Sequence, residues 1–497
     1  MIKQSLRHVM VALSAGVLLS ACVSSPADFD QPPVNKPVEQ TAIERALIGI
    51  VSFKGEEASR PTIEERMAEL EVRSASVAVF SGGDLHWASA YGEVDDVDTL
   101  FQAASLSKAV AAVGIVALAN EIGTDLDADL RSSFAVLQDK RLNPGGVPVT
   151  LRGLLSHSAG ATISGFPGYS PGADIPSTRD IVSGTNGSNT AGIIIEPDRA
   201  GQRRYSGGGF HLAQHWAETV SGESFPALMK RLVLEPVGME RSTFDLITPD
   251  DERAANVAPG YGEAGLPEDG GWLLYPQGAA AGLWTTPTEY GRFISALIAS
   301  VTSGTDRGIH PDVGREVLTP AIGFTALGVG FQIRQAQVRL SNSGDNRGYW
   351  NHTMSFPAVG DVIVVMTNGP GGFILMGDIN RTAAEAYQWP ALPLIIRERM
   401  TLSTDEQEQL AGRYVDSSSG NPAFTISVDR DSRTILSTYE PADSIWSHNG
   451  AFELVRTGPD TLINTRFGND LTVRWADEGT TSIVRRGVTY RRSTDGS

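Results

Sequence analysis

Phe101-Gln102-Ala103-Ala104-Ser105-Leu106-Ser107-Lys108 runs without a break into Ala109-Val110-Ala111-Ala112-Val113-Gly114-Ile115-Val116-Ala117-Leu118-Ala119. The second half has the length and composition of a buried helix. Ser105 is expected to open that helix, with Lys108 one turn further on. Residues i and i+3 share a helix face, so the hydroxyl and the amine point into the same space. A serine beside a lysine that can give up its proton is a nucleophile with its own base. The spacing also arises by chance, and an N-cap serine followed by a solvated lysine is the alternative reading of these residues. Composition narrows the choice. The chain holds six lysines (Lys3, Lys36, Lys54, Lys108, Lys140, Lys230), and only Lys108 has a serine three positions before it.

The chain has 497 residues, enough for two or three domains. It is 41% hydrophobic and 20% charged, which describes an ordinary globular protein. A formal charge of −18 argues against nucleic acid as a partner, because phosphates require a basic surface. Residues 1–21 read as a targeting segment, with Lys3 and Arg7 ahead of an apolar core from Val9 to Leu19 that is too short to span a bilayer. An ordinary secretory peptide followed by an incidental cysteine is the competing reading.

Residues 22–60 begin as a tether, with Pro26, Pro32, Pro33 and Pro37 among small and polar residues. Order is expected from Pro61, where Thr62-Ile63-Glu64-Glu65 has the capping-box pattern. A strand over 76–81, the turn Gly82-Gly83 and a hairpin partner over 84–91 follow. Residues 149–160 read as a short helix closed by Gly160. His157 within it reads as a structural hydrogen-bonder, since no Gly-x-Ser-x-Gly elbow accompanies it. Tyr205 is expected just before a glycine-rich turn, Gly207-Gly208-Gly209, with an amphipathic helix from His211. Strands dominate from 327 to 368, two of them flanking a turn over 343–348. A helix over 381–389 ends this part. Beyond Leu402, short alternating segments at 424–428, 435–439, 451–455, 461–466, 471–476 and 482–486 read as an all-β barrel or sandwich.

Three separated pieces stand in a set order: Ser105-Leu106-Ser107-Lys108, Tyr205-Ser206-Gly207 and Asn342-Ser343-Gly344. With Leu154-Leu155-Ser156-His157-Ser158-Ala159-Gly160 and Ala279-Ala280-Ala281-Gly282-Leu283-Trp284-Thr285-Thr286-Pro287, they resemble the serine β-lactamase and penicillin-binding-protein superfamily, closest to its class C-related hydrolases and esterases. That resemblance implies an α/β (α+β) fold: an antiparallel sheet flanked by helices, with a mostly helical subdomain, over residues 61–400. The tail, 401–497, resembles the lipocalin-like barrel that often follows such a domain. Leu19-Ser20-Ala21-Cys22 resembles a bacterial lipobox, which implies lipidation of Cys22 and, with Val23 next, an outer-membrane lipoprotein facing the periplasm.

The resemblance also implies a mechanism. Ser105 attacks a carbonyl, Lys108 takes or relays its proton, and Tyr205 serves as general acid and base. The oxyanion is expected between the backbone N–H groups of Ser105 and Asp345. Gly207, Asn342, Ser343, Gly344 and Asp345 are the expected substrate-binding positions. Two depart from the family pattern: Gly207 stands where asparagine is common, and Asn342 where lysine or histidine is usual. Asparagine can donate to a substrate carboxylate but brings no charge, so weaker affinity for anionic substrates is expected; Arg347 is a candidate to replace that charge. No metal or cofactor is expected, and the partner is a small-molecule or peptide substrate. The expected function is hydrolysis of an ester or amide. The alternative is a catalytically weak protein that binds an envelope ligand.

Overall fold

The computed structural model describes residues 37–94, 96–262, 265–334, 337–390, 392–429, 434–439, 451–475 and 481–493. The leader segment and Cys22 lie outside these residues. The chain forms two compact units.

The first unit comprises Ser74–Tyr261 and Pro267–Asn368. Its sheet has six antiparallel strands: β1 (Ser74–Ser81), β2 (Asp84–Gly92), β3 (Gly330–Arg334), β4 (Gln337–Asn346), β5 (Tyr349–Phe356) and β6 (Asp361–Asn368), in the order β2-β1-β6-β5-β4-β3. The interior strands β1 and β6 are near-continuous apolar runs because protein covers them on both faces.

α1 (Ser107–Glu121) is the central helix, and from Ser107 to Ala119 every residue but Ala117 is buried. An all-round apolar helix has no other stable place in water. Against it pack α3 (Gly207–Ser221) and α4 (Gly278–Ala281), while α2 (Leu151–Leu155) packs on α3 and α5 (Pro287–Thr302) on β1 and β6. Gly114 permits one close approach: a Cβ there would lie 2.5 Å from the Met229 side chain.

Several local expectations are corrected. Ser105 does not open α1 directly; it sits in a separate 3₁₀ turn, Ala104–Leu106, that leads into the helix. α2 ends at Leu155, so Gly160 does not close it, and His157 itself takes a positive φ of 62°. The glycines 207–209 do not form a turn. They are the first turn of α3, capped by the Ser206 hydroxyl, which accepts from the Gly209 N–H at 2.8 Å. The reason is steric: a Cβ on Gly208 would lie 2.3 Å from the Thr162 carbonyl oxygen, so only glycine lets this helix meet that loop. Residues 343–346 likewise belong to one strand, β4, and the turn shrinks to Arg347-Gly348, with Gly348 at φ 89°.

The second unit gathers Val38–Arg73, Gly262–Leu266 and Gly369–Ser497, so the strand-rich tail belongs to a larger body than its sequence suggests. It holds α6 (Gly372–Ala386), helices Val38–Arg45 and Ile63–Glu69, and a closed barrel. The Ile63 helix carries the complete capping box on Thr62 and Glu65. The barrel strands are β7 (Gly412–Asp416), β8 (Pro422–Val428), β9 (Ile435–Tyr439), β10 (Ala451–Gly458), β11 (Thr461–Asn464), β12 (Asp470–Arg474), β13 (Ser482–Arg485) and β14 (Val488–Arg492). Phe424 and Ile426, Phe452 and Leu454, and Leu471 and Val473 point inward with the two-residue period of a strand. The sequence pattern missed β7 and β14, the pair that closes the barrel. Both carry arginines and a single core-facing aromatic rather than an apolar run.

Candidate active site

Ala104 precedes Ser105 with φ 51°, a conformation that a residue with a side chain adopts at a cost of about 1–2 kcal/mol. The turn is fixed from three sides. The Ser107 hydroxyl donates to the Ala104 carbonyl at 2.5 Å and accepts from the Leu283 N–H at 3.0 Å. The Ala103 N–H donates to the Leu283 carbonyl at 2.8 Å. Gln102 donates to the Leu273 carbonyl at 2.7 Å and accepts from Asn346 at 2.8 Å. Apart from the local Ser107–Ala104 bond, none of these supports was visible in the sequence, since each joins positions far apart in the chain.

Ser105 Oγ lies 2.9 Å from Lys108 Nζ and 2.7 Å from the Tyr205 hydroxyl, and both groups donate to it. Lys108 is 3% exposed. Its second contact is the Ala280 carbonyl at 2.6 Å, and no carboxylate lies within ion-pair distance of it among the described residues. The Nζ also stands 5.0 Å from the Tyr205 ring centroid. Tyr205 is 39% exposed, so its hydroxyl faces both the serine and solvent.

His157 supports this arrangement from behind. Its Nδ1 accepts from the Ser206 N–H at 3.1 Å, and its ring lies 4.5 Å from that of Tyr205. An Nδ1 that accepts places the imidazole proton on Nε2. Burial, with Lys108 and Arg203 nearby, pushes the His157 pKa down to about 3, so the ring is neutral.

The third piece lies along β4. Gly344 packs onto the serine turn: a Cβ there would lie 2.3 Å from the Ala103 carbonyl oxygen and 3.1 Å from the Ser105 nitrogen. No other residue lets the strand come so near. β3 pairs with β4 only as far as Ser341, while β5 pairs with it through Asn346. The β4 edge over Asn342, Ser343, Gly344 and Asp345 is therefore not covered by β3. Ser343 and Asp345 are exposed there. Desolvation raises the pKa of the Asp345 carboxyl, against the opposing pull of Lys108.

Two expected binding side chains are not brought to the hydroxyl cluster as free groups. Asn342 donates through Nδ2 to the Gly328 carbonyl at 2.7 Å and accepts through Oδ1 from the Gly330 N–H at 3.0 Å. Its amide pins the start of β3 to β4. Arg347 donates to the Glu268 carboxylate at 2.9 Å, and that carboxylate is buried; the arginine neutralises an interior charge. Gly207 is buried in the first turn of α3, and a Cβ there would lie 3.1 Å from both the Phe166 ring and the Ser164 carbonyl oxygen. A half-buried phenylalanine thus lies against the space that a side chain at position 207 would occupy.

A family model described as Beta-lactamase matches residues 60–388. No curated protein matches the chain in sequence. Among solved structures, the octameric penicillin-binding protein homologue from Pyrococcus abyssi is similar at 18% identity, with 86% of this chain and 98% of that one covered and a TM-score of 0.52. The D-amino acid amidase from Ochrobactrum anthropi, complexed with L-phenylalanine amide, is similar at 20% identity, with 66% and 96% covered and a TM-score of 0.52. A class C beta lactamase from Rhodobacter sphaeroides is similar at 18% identity, with 64% and 97% covered and a TM-score of 0.50. At these identities the likeness is one of fold.

Proposed function

Because the chain belongs to the beta-lactamase family, we propose that it is a serine hydrolase that cleaves an ester or amide through an acyl-enzyme on Ser105. The observation that carries this reading is the convergence of Lys108 Nζ and the Tyr205 hydroxyl on one serine oxygen, at 2.9 and 2.7 Å. In the proposed cycle the Ser105 oxygen bonds to the substrate carbonyl carbon and its proton passes to the Lys108 amine. Tyr205 then delivers a proton to the departing alcohol or amine as the scissile bond breaks. Water attacks the acyl-enzyme by the reverse route, giving its proton to the same pair and restoring Ser105. Among the described residues Lys108 hydrogen-bonds to neutral oxygens and makes no ion pair, so a proton can pass through it without breaking one. The oxyanion is assigned to the backbone N–H groups of Ser105 and Asp345, which the close packing of Gly344 favours.

Within the family we assign the chain to the class C-related branch, on the Tyr205-Ser206-Gly207-Gly208-Gly209 sequence of its middle piece. D-Amino-acid amides and short esters are the substrates to try first, the former because one similar fold belongs to a D-amino acid amidase. The Leu19-Ser20-Ala21-Cys22 stretch supports an exported, lipid-anchored protein at the outer membrane. The test is labelling with a fluorophosphonate and with a fluorescent penicillin. The fluorophosphonate is expected to mark the wild type and not Ser105→Ala. Labelling that survives the substitution would contradict the assignment.

A further inference from the structure

We propose that Arg203 is the anion-recognising residue of this site and that the preferred acyl substrates carry a carboxylate; the proposal rests on Ser105 being the nucleophile. The family position expected to hold a cation is filled by Asn342, whose amide is bonded at both ends to backbone, and Arg347 is bound to Glu268. Asn342 brings no charge, and the charge of Arg347 is already offset by the buried Glu268 carboxylate. Arg203 differs from both.

Arg203 lies two residues before Tyr205 and is exposed. Its Nε donates to the buried Thr325 hydroxyl. Thr325 bridges to Gly330, the residue whose N–H the Asn342 amide holds. The next residue, Arg204, donates its N–H to the His157 carbonyl at 2.8 Å, which ties this segment to the histidine behind Tyr205. The guanidinium is thereby fixed near the Asn342 end of the open β4 edge. Among the described residues it makes no ion pair. Its neighbour Arg204 shows the ordinary alternative, pairing with Glu196.

A guanidinium held through Nε presents both terminal nitrogens, the arrangement that grips a carboxylate with two parallel bonds. The opposite end of the same edge carries Asp345. A substrate laid along β4 with its carbonyl at Ser105 therefore meets a cation at one end and a carboxyl at the other. A negatively charged group is drawn to the Arg203 end and turned away from the Asp345 end. The weakened anion affinity expected from Asn342 is thus restored from a different segment of the chain.

The experiment compares mono-p-nitrophenyl adipate with p-nitrophenyl hexanoate, esters of equal acyl length that end in a carboxylate or a methyl group. The readout is the ratio of their kcat/KM values. Arg203→Gln is expected to lower that ratio about 10- to 100-fold, through KM of the adipate, the scale of a charge-assisted bond pair. Arg203→Lys should retain part of it, and added salt should lower the wild-type ratio. A ratio within about twofold of wild type in Arg203→Gln, or an equal loss on both esters, overturns the proposal while leaving Ser105 in place. A wild-type protein that turns over neither ester and takes no label at Ser105 overturns the underlying reading, and this one with it.

Discussion

Lys108 and Asp378 are both buried charged residues, and they are built in opposite ways. Asp378, on α6 in the second unit, has a side chain 1% exposed and is held by two arginines, Arg66 through Nε at 2.8 Å and Arg381 through a terminal nitrogen. Arg66 also reaches Glu69 at 2.7 Å, and Arg381 donates to the Ile48 carbonyl at 3.0 Å. Every charge there has a counter-charge, so moving one proton breaks the set. Lys108 is as deeply buried, and among the described residues its hydrogen bonds go to the Ser105 hydroxyl and the Ala280 carbonyl, with no ion pair. Burial of charge is therefore not what marks the reactive site. The partner is: opposite charges lock a side chain in one protonation state, and neutral oxygens leave it able to exchange a proton.

The comparison breaks first at the two charged residues. Lys108→Met is expected to lower ester hydrolysis at least about 1,000-fold. Its unfolding free energy should stay within about 2 kcal/mol of wild type, the cost of leaving the Ala280 carbonyl unpaired. Asp378→Asn should do the reverse, losing about 3–5 kcal/mol because two buried arginines lose their carboxylate. Its folded fraction should still be labelled at Ser105. Chemical denaturation beside an ester assay reads both; a stable but unlabelled Asp378→Asn would refute the contrast.

Tyr205→Phe removes only a hydroxyl. Hydrolysis should fall about 100- to 10,000-fold, the range for a general acid–base group, with the melting temperature unchanged because the ring still faces His157.

How much of this was legible in the sequence depends on the range of the interactions. Ser105 and Lys108 stand one turn apart in a run that must be buried, so their proximity follows from local geometry. The capping box at Thr62 and the strands of the sheet were legible for the same reason. Gly207–Gly209 were not recognisable as a helix start, because glycine disfavours helices and the reason for it lies at Thr162. Asn342 looked like a substrate ligand because its partners, Gly328 and Gly330, are set by strand pairing. Residues 343–346 have turn composition and become strand only because β5 pairs with them. Arg203 carries no local signal at all.

A smaller effect concerns acid. His157 titrates at about 3, and the buried His211 and His352 at about 4, all lowered chiefly by desolvation from an ordinary value of 6.5. Between these values and 6.5 the unfolded chain binds protons that the folded chain refuses. Stability therefore falls as pH drops from 6.5 towards 4, by about 1.4 kcal/mol per pH unit for each histidine. His157→Gln, which can still accept from the Ser206 N–H, should remove one such share of the slope. Denaturant titrations at pH 7 and pH 5 check it; an unchanged slope would mean that His157 is protonated in the folded state.

The smallest effect belongs to the barrel. Tyr414 is buried there and donates to the Leu410 carbonyl at 2.9 Å. Tyr414→Phe should lower stability by about 1 kcal/mol and leave hydrolysis untouched.

The central claim is that Ser105 carries the acyl group during turnover. Its most direct test is to quench an ester or D-amino-acid amide reaction with denaturant and map the digested protein by mass spectrometry. The peptide containing Ser105 is expected to gain the mass of the acyl group, and with a p-nitrophenyl ester, whose leaving group departs without a general acid, Tyr205→Phe should slow deacylation alone and raise the acylated fraction. An acyl group on any other residue, or turnover with no acylated peptide in either protein, would contradict the account.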